Sequence, residues 1–254
     1  MDLPNIHPDL YPMAHLFFDL DRTLWHHERN HLRFFEALHA ARNWSEWGTS
    51  EEWARNYLEI NDRLWDHIQL HNLGVEYVRA RRFPLLFKHM GIQGERSKEF
   101  EVLGAECERV LKEQLPDMGE GYDGVREAFE VLREAGHRLH VVTNGVREPQ
   151  RRKIAALGLT DFIEELVTSD VARSYKPDPE IFHYALRSTG AHAGESWMIG
   201  DSVLRDILGG RAVGMRTAWF RAEDALPPDA EATPELEFRD WREFPGLLEA
   251  AIRG

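Results

Sequence analysis

The second half of the chain alternates short apolar runs with stretches of helical periodicity. Val125, Ala128, Phe129 and Leu132 mark one face of a helix that we expect to stop at Gly136. Apolar runs of strand length are Leu16–Phe18, Leu139–Val142, Leu166–Thr168, Trp197–Ile199 and Met215–Phe220. Strand–helix alternation at this spacing predicts an α/β fold, with a parallel sheet of five strands covered by helices on both faces.

Helix boundaries are marked by local signals near the end of the chain. Asp178 followed by Pro179 is typical of a helix start, and we expect a helix over Glu180–Ser188. A proline-rich acidic loop opens the tail, which then offers a short apolar element at Leu236–Phe238 and a closing helix from about Phe244.

Residues 26 to 115 show helical periodicity without strand-like runs. Apolar side chains recur at steps of three and four, as one helix face requires, at Trp53, Tyr57, Ile60, Leu64 and Ile68. We expect about four helices, with breaks near Asn43–Ser50, Leu73–Gly74 and Gly91–Gly94. The sequence therefore predicts a core domain of residues 1–25 and 116–254 with a helical cap of residues 26–115 inserted after its first strand.

Composition narrows the class of protein. The 254 residues are 43% hydrophobic and 30% charged, with a formal net charge of −13. That charge argues against a nucleic-acid polymer as partner, since a phosphate backbone demands a basic face. Cys107 is the single cysteine, which excludes an internal disulfide, and we expect it half-buried in a helix. No apolar stretch is long enough to span a membrane and Met1–Met13 does not resemble a signal peptide, so we expect a cytoplasmic protein without a membrane partner.

Polar and charged side chains follow the predicted strands. Asp19, Asp21 and Thr23 come directly after the first strand, and Thr143–Gly145 follows the second. Gly200, Asp201 and Ser202, with Asp206 beyond them, follow the fourth strand, and Lys176 lies in the segment after the third. Because ligands of parallel α/β sheets bind beyond the carboxyl ends of the strands, we expect these groups to meet.

These residue types suit phosphoryl transfer. One carboxylate can accept the phosphoryl group, a second can act as acid and base, and a lysine and hydroxyls can hold the phosphate oxygens. Taken singly, each segment has a simpler interpretation. Asp19–Thr23 could be a helix-capping turn, Thr143–Gly145 an ordinary turn and Lys176 a solvated side chain. Asp201 and Asp206 could mark a helix N-terminus, which favours negative charge. Their joint arrival at one end of the sheet favours the catalytic interpretation.

The four segments, in this order, resemble the motifs of the haloacid dehalogenase superfamily in its phosphatase branch, whose core is a Rossmann-like sheet. The resemblance covers roughly residues 14–25 and 116–222. It implies that Asp19 is the nucleophile and Asp21 the general acid/base. It further implies phosphoryl binding by Thr143 and Lys176, with Thr23 and Asn144 as additional phosphate contacts. A Mg²⁺ cofactor would be held by Asp19, the Asp21 carbonyl, Asp201 and Asp206, with Asp206 either a ligand or a support.

Two positions in the first motif bear on the reaction. Dehalogenases of the superfamily lack the second aspartate, so Asp21 favours the phosphatase branch. Arg22 stands where many members carry glycine, and we expect its backbone to avoid positive φ.

The cap is expected to select the substrate. Five tryptophans fall between residues 25 and 65, and they either form a surface that stacks on a base or fill the core of the cap. Trp25 is the candidate substrate contact among them. His26, His27 and His31 are hinge or pocket residues, or less simply metal ligands.

The cap also carries the more specific resemblance. Asn61–Trp65 and Arg81–Phe83 resemble bacterial pyrimidine and noncanonical 5′-nucleotidases, which implies a nucleoside 5′-monophosphate as substrate. A phosphoglycolate or sugar phosphatase is the alternative. A phosphomutase, a dehalogenase or a non-catalytic binding module on this fold is less favoured. For each of the phosphatase alternatives, we expect the binding partner to be a small phosphorylated metabolite. We expect the protein to be a monomer or a homodimer.

Overall fold

A computed structural model describes residues 13–92, 97–222 and 233–253. The chain divides into two compact units, residues 1–26 with 119–254 and residues 27–118. The predicted boundaries were 25/26 and 115/116. Most of the proline-rich tail loop and of the N-terminal segment, and Gly94 of the third predicted break, lie outside the described residues.

The first unit is built on a parallel sheet. Its strands are β1 (His15–Phe18), β2 (Arg138–Thr143), β3 (Ile163–Thr168), β4 (Ser196–Gly200), β5 (Arg216–Phe220) and β6 (Leu236–Phe238). The described residues give six strands in the order β3-β2-β1-β4-β5-β6. The prediction of five strands was wrong, because it did not include Leu236–Phe238. This short apolar element forms a sixth strand that pairs in parallel with β5.

The helices of the second unit are α1 (His27–Arg42), α2 (Ser50–His71), α3 (Glu76–Arg79), α4 (Arg82–His89) and α5 (Ser97–Gln114). The expectation of four helices was wrong at residues 76–89, where α3 and α4 stand in place of one. Those of the first unit are α6 (Val125–Glu134), α7 (Arg147–Ala156), α8 (Ser169–Ala172), α9 (Pro179–Thr189), α10 (Gly209–Ala212) and α11 (Phe244–Arg253). The start of α9 is as predicted, since the Asp178 carboxylate accepts from the Glu180 N–H at 2.9 Å.

Adjacent residues of β1 face opposite sides of the sheet, and each side is apolar. Phe17 belongs to a buried cluster with Val142, Phe182 and Met198, which packs α9 on one face. Phe18 lies on the other face, where its ring centroid is 4.7 Å from the ring centroid of Phe129 on α6. Helices thus cover both faces, and the functional groups are left to the strand ends.

Buried side chains fill the second unit as well. Trp44 and Trp53 stack with ring centroids 4.4 Å apart, which supports the core interpretation of these two tryptophans. Cys107 is fully buried, not half-buried as predicted, and burial raises the pKa of its thiol to about 12. Such a thiol is no nucleophile.

Candidate active site

Sheet order brings three of the predicted segments together. β1 lies between β2 and β4, and Phe18 is in register with both Val141 and Ile199. The Asp19 N–H donates to the Ile199 carbonyl at 2.8 Å, which fixes the first residue after β1 against the end of β4. The chain moves outward from β1 in both directions here, so this is the switch point at which α/β sheets bind ligands.

Lys176 joins two of the aspartates. Its ammonium donates to Asp19 Oδ1 at 2.7 Å, to Asp206 Oδ1 at 2.6 Å and to the Val142 carbonyl at 2.9 Å. Lys176 is 2% exposed and Asp206 0%. Because the buried ammonium has three acceptors, it is fixed in position, and its positive charge stays beside the Asp19 carboxylate.

Asp201 and Thr23 complete a carboxylate group around Asp19. Carboxylate oxygens of Asp19, Asp201 and Asp206 lie within 4.8 Å of one another. The Thr23 hydroxyl donates to Asp201 Oδ1 at 3.2 Å and accepts from the Asp201 N–H at 3.1 Å. Thr23 therefore orients Asp201.

Burial dominates the electrostatics of this group. Desolvation raises the pKa of Asp19 to about 6, against the opposing effect of Lys176. Desolvation, with the charges of Asp19 and Asp206, raises the pKa of Asp201 to about 8. Burial alone would lower the pKa of Lys176, but the Asp19 and Asp206 carboxylates outweigh it and raise that pKa.

The group fits a divalent cation. The three carboxylates lie close together and two of them, Asp19 and Asp206, pair with the one ammonium, so the group carries excess negative charge when all three are ionised. Repulsion among the carboxylates adds to burial in raising the pKa of Asp19 and of Asp201. Mg²⁺ takes hard oxygen ligands, including one or two carboxylates. Asp19, Asp201 and Asp206 are therefore the residues that could hold it.

Asp206 also has a supporting position. Its Oδ2 accepts from the Ser202 N–H at 3.0 Å while Oδ1 takes the Lys176 ammonium. This approach depends on Gly200, because a Cβ there would lie 2.2 Å from Asp206 Oδ2. Asp206 thus fixes both Lys176 and the loop that carries Asp201.

Asp21 lies outside the carboxylate group that surrounds Asp19. Its Oδ2 accepts from Gln150 Nε2 at 2.8 Å, and its Oδ1 forms an ion pair with Lys153. Lys153 Nζ lies 4.1 Å from the ring centroid of Trp25, which is fully buried. Trp25, the candidate substrate contact, therefore packs its ring against the Lys153 ammonium.

The second motif is held to the third by its own side chains. Asn144 donates to the Lys176 carbonyl at 3.0 Å and accepts from the Lys176 N–H at 2.6 Å. Both ends of the amide thus orient the lysine loop. The Thr143 hydroxyl is buried and accepts from Gln150 Nε2 at 2.8 Å and from the Gly145 N–H at 3.2 Å.

Arg22 contradicts its prediction, because its φ is +65°. The loop turns sharply: the Leu24 and Trp25 N–H groups both donate to the Leu20 carbonyl, at 3.0 and 2.9 Å, and Arg22 N–H donates to the Trp25 carbonyl at 3.0 Å. This turn requires a left-handed residue at position 22, whatever its side chain. The Arg22 charge opposes the rise in the pKa of Asp201.

The three histidines differ in burial: His26 is half-buried, whereas His27 and His31 are buried. His26 stacks on Tyr122 with ring centroids 4.4 Å apart, in the first unit. His27 and His31 are buried in the second, and the His31 ring nitrogen lies 2.7 Å from the His27 carbonyl.

In the nucleotidase-like segments, Arg82 is buried. It donates twice to Glu108, at 2.6 Å each, and once to Asn61 at 3.1 Å.

Sequence reasoning missed Gln150 and Lys153. Both lie on α7, which begins four residues after Thr143, and their spacing of three places them on one helix face. That face could have been found by asking which polar residues of α7 follow the second motif at helical spacing.

Comparison with known proteins identifies a family of hydrolases. Residues 13–214 match the family model described as haloacid dehalogenase-like hydrolase. Over 240 residues the chain is 25% identical to pyrimidine 5′-nucleotidase PynA of Streptococcus pneumoniae, covering 93% of this chain and 95% of that one.

Two further similar proteins match different lengths of the chain. Glyceraldehyde 3-phosphate phosphatase of Pyrococcus abyssi is 41% identical over 98 residues, which span 39% of this chain and 41% of that relative. The solved structure of the HAD-hydrolase YfnB of Bacillus subtilis, bound to magnesium, superposes with a TM-score of 0.76 at 26% identity, covering 93% of this chain and 98% of that one. Within the described residues, none of the helices has the length and apolar character to cross a membrane.

Proposed function

Because the chain belongs to the haloacid dehalogenase-like hydrolases, an enzyme family, we propose that it is a Mg²⁺-dependent phosphomonoester hydrolase. The observation that carries the proposal is the buried Asp19 carboxylate, 2.7 Å from Lys176 and grouped with Asp201 and Asp206. Asp21, two residues on, supplies the second carboxylate that ester hydrolysis needs.

In the proposed reaction an Asp19 oxygen attacks phosphorus and the ester P–O bond breaks, giving an aspartyl-phosphate. Asp21 gives a proton to the leaving oxygen. It then takes a proton from the water that attacks the aspartyl-phosphate, which releases phosphate and restores Asp19. Lys176 and the Thr143 hydroxyl hold the transferring phosphoryl oxygens, and the fixed Lys176 charge stabilises them without reorganisation.

Asp19, Asp201 and Asp206, with the Asp21 carbonyl, would hold Mg²⁺. The cation, when bound, supplies charge stabilisation of the phosphoryl oxygens and offsets the repulsion among the aspartates. The similarity to a magnesium-bound solved structure supports this assignment.

As substrate we propose a nucleoside 5′-monophosphate. The support is the similarity, along nearly the whole chain, to a relative named pyrimidine 5′-nucleotidase. A sugar-phosphate or phosphoglycolate phosphatase is the alternative, favoured by the higher identity, over a shorter stretch, to a relative named glyceraldehyde 3-phosphate phosphatase. We assign the choice between them to the helical unit of residues 27–118.

The test is a phosphate-release screen with and without Mg²⁺ over nucleoside monophosphates, sugar phosphates and phosphoglycolate. Asp19→Asn is expected to abolish release, whereas the exposed Asp161→Asn, the same chemical change elsewhere in the unit, leaves it intact. Activity retained by Asp19→Asn would overturn the nucleophile assignment. Isomerised sugar phosphate in place of free phosphate would indicate a phosphomutase instead.

A further inference from the structure

Gln150 links the proposed acid/base to the proposed phosphate-binding hydroxyl. Its Nε2 donates to Asp21 Oδ2 and to Thr143 Oγ1, at 2.8 Å each. The residue is 2% exposed, so its amide is shielded from bulk water. One amide group thus connects a side chain of the loop after β1 with a side chain at the end of β2.

The same amide orients the threonine hydroxyl. Thr143 Oγ1 accepts from both Gln150 and the Gly145 N–H, which fills its two acceptor positions. The hydroxyl hydrogen is then directed away from both donors and can donate to an anion. Gly145 leaves room for this arrangement, since a Cβ there would lie 2.4 Å from Gln150 Nε2.

Lys153 holds the other oxygen of Asp21. Its ammonium pairs with Asp21 Oδ1 and lies over the ring of Trp25, which itself forms a backbone bridge with Asp21. A cation on an aromatic face is stabilised by the ring quadrupole. The Lys153 ammonium is therefore fixed in position, and it fixes the position of the Asp21 oxygen that it contacts.

We propose that Gln150 and Lys153 are positioning residues for the Asp21 carboxylate, an inference that rests on the proposed function. Two contacts from one helix face, one on each oxygen, fix the orientation of the carboxylate. Proton transfer to the leaving oxygen needs this orientation, as the ester bond breaks and the Asp19–phosphorus bond forms.

The test varies the leaving group. An alkyl phosphate needs its leaving oxygen protonated, whereas dinitrophenolate leaves without a proton. We compare kcat/KM, which reports the steps up to formation of the aspartyl-phosphate, for Gln150→Leu and Lys153→Met. For Lys153→Met, which removes a contact to Asp21 alone, we expect a loss of roughly 10-fold to 100-fold with the alkyl ester and of less than about 3-fold with dinitrophenyl phosphate. Gln150→Leu also releases the Thr143 hydroxyl, so we expect it to slow both esters, and to slow the alkyl ester roughly 10-fold more than dinitrophenyl phosphate.

Matched variants separate positioning from folding. Arg151→Met removes a neighbouring exposed cation of the same helix and is expected to leave both substrates unaffected. Lys153→Arg keeps a cation for the Trp25 face and should recover most of the alkyl ester activity. Gly145→Ala displaces the Gln150 amide without altering that residue, so it carries the test if Gln150→Leu does not fold.

The outcomes distinguish the two proposals. Equal losses with both esters, in variants whose thermal unfolding matches the wild type, overturn the positioning role alone. A wild-type enzyme that hydrolyses neither ester overturns the proposed function, and the positioning role with it. A selective loss with the alkyl ester supports both.

Discussion

Lys176 Nζ lies 2.6 Å from Asp206 Oδ1, and 2% and 1% of the two side chains are exposed to solvent. Ion pairs buried to this degree contribute little as pairs, but loss of one partner leaves an uncompensated charge in the interior. Here the two partners are not equivalent, because Lys176 also pairs with Asp19 at 2.7 Å.

Removal of Lys176 is therefore expected to cost more stability than neutralisation of Asp206. Lys176→Met leaves Asp19 and Asp206 without their ammonium, and we expect a loss of about 3–5 kcal/mol in the free energy of unfolding without divalent cations. Asp206→Asn leaves Lys176 paired with Asp19 and should cost less. Urea unfolding of both variants measures the difference, and an equal or larger loss for Asp206→Asn would contradict it.

Divalent cations are expected to stabilise the protein through Asp201. A ligand that binds only the folded state, at 100 times its dissociation constant, adds about 2.7 kcal/mol. Mg²⁺ should therefore raise the midpoint of thermal unfolding of the wild type and of Asp161→Asn, but raise that of Asp201→Asn much less. The same rise in all three proteins would show that Mg²⁺ binds elsewhere.

The left-handed backbone at position 22 predicts an order of stability among variants. Arg22→Gly and Arg22→Val both remove the guanidinium, so their difference isolates the backbone at φ +65°. Glycine adopts this conformation freely and a β-branched residue does not, and we expect the valine variant to be less stable by about 1–2 kcal/mol. Chemical denaturation tests the order, and equal stabilities would mean that the loop changes its turn.

Two buried histidines predict acid sensitivity. Burial lowers the pKa of His137 and of His140 to about 4, from 6.5 in the unfolded chain. Between these values the unfolded chain binds more protons than the folded one, so stability falls as the pH falls from about 6.5 to 4. The slope contributed is about 1.4 kcal/mol per pH unit for each histidine.

Substitution of His137 separates the contribution of the histidines to the pH dependence of stability from the contribution of the carboxylates. His137→Asn keeps an acceptor for the Ala14 N–H, which now donates to His137 Nδ1 at 3.2 Å, without a titrating ring. In this variant the free energy of unfolding should depend less steeply on pH, by the contribution of about one proton. Urea unfolding at several pH values measures this dependence. The exposed His89→Asn is the control, and an unchanged slope in His137→Asn would argue against the assignment.

Local patterns were sufficient for most of the sheet and for the helix that Asp178 caps. Each of the first five strands contains a short apolar run that is buried, so local composition was enough to locate it. The sixth strand was recognised only as an apolar element, because three residues carry too little periodicity to indicate a pairing partner. The helices α3 and α4 were merged for a related reason: only the short Ala80–Arg81 segment separates them.

The order of the motifs along the chain determined which residue types lie beyond the strand ends, and thereby the carboxylates, the lysine and the hydroxyls of the site. The tertiary structure decided which of them touch. Lys176 meets Asp19 and Asp206 across 157 and 30 residues of chain, and Gln150 meets Asp21 across 129. Such contacts, and the left-handed Arg22, follow from strand order and turn geometry, which no local window of sequence contains.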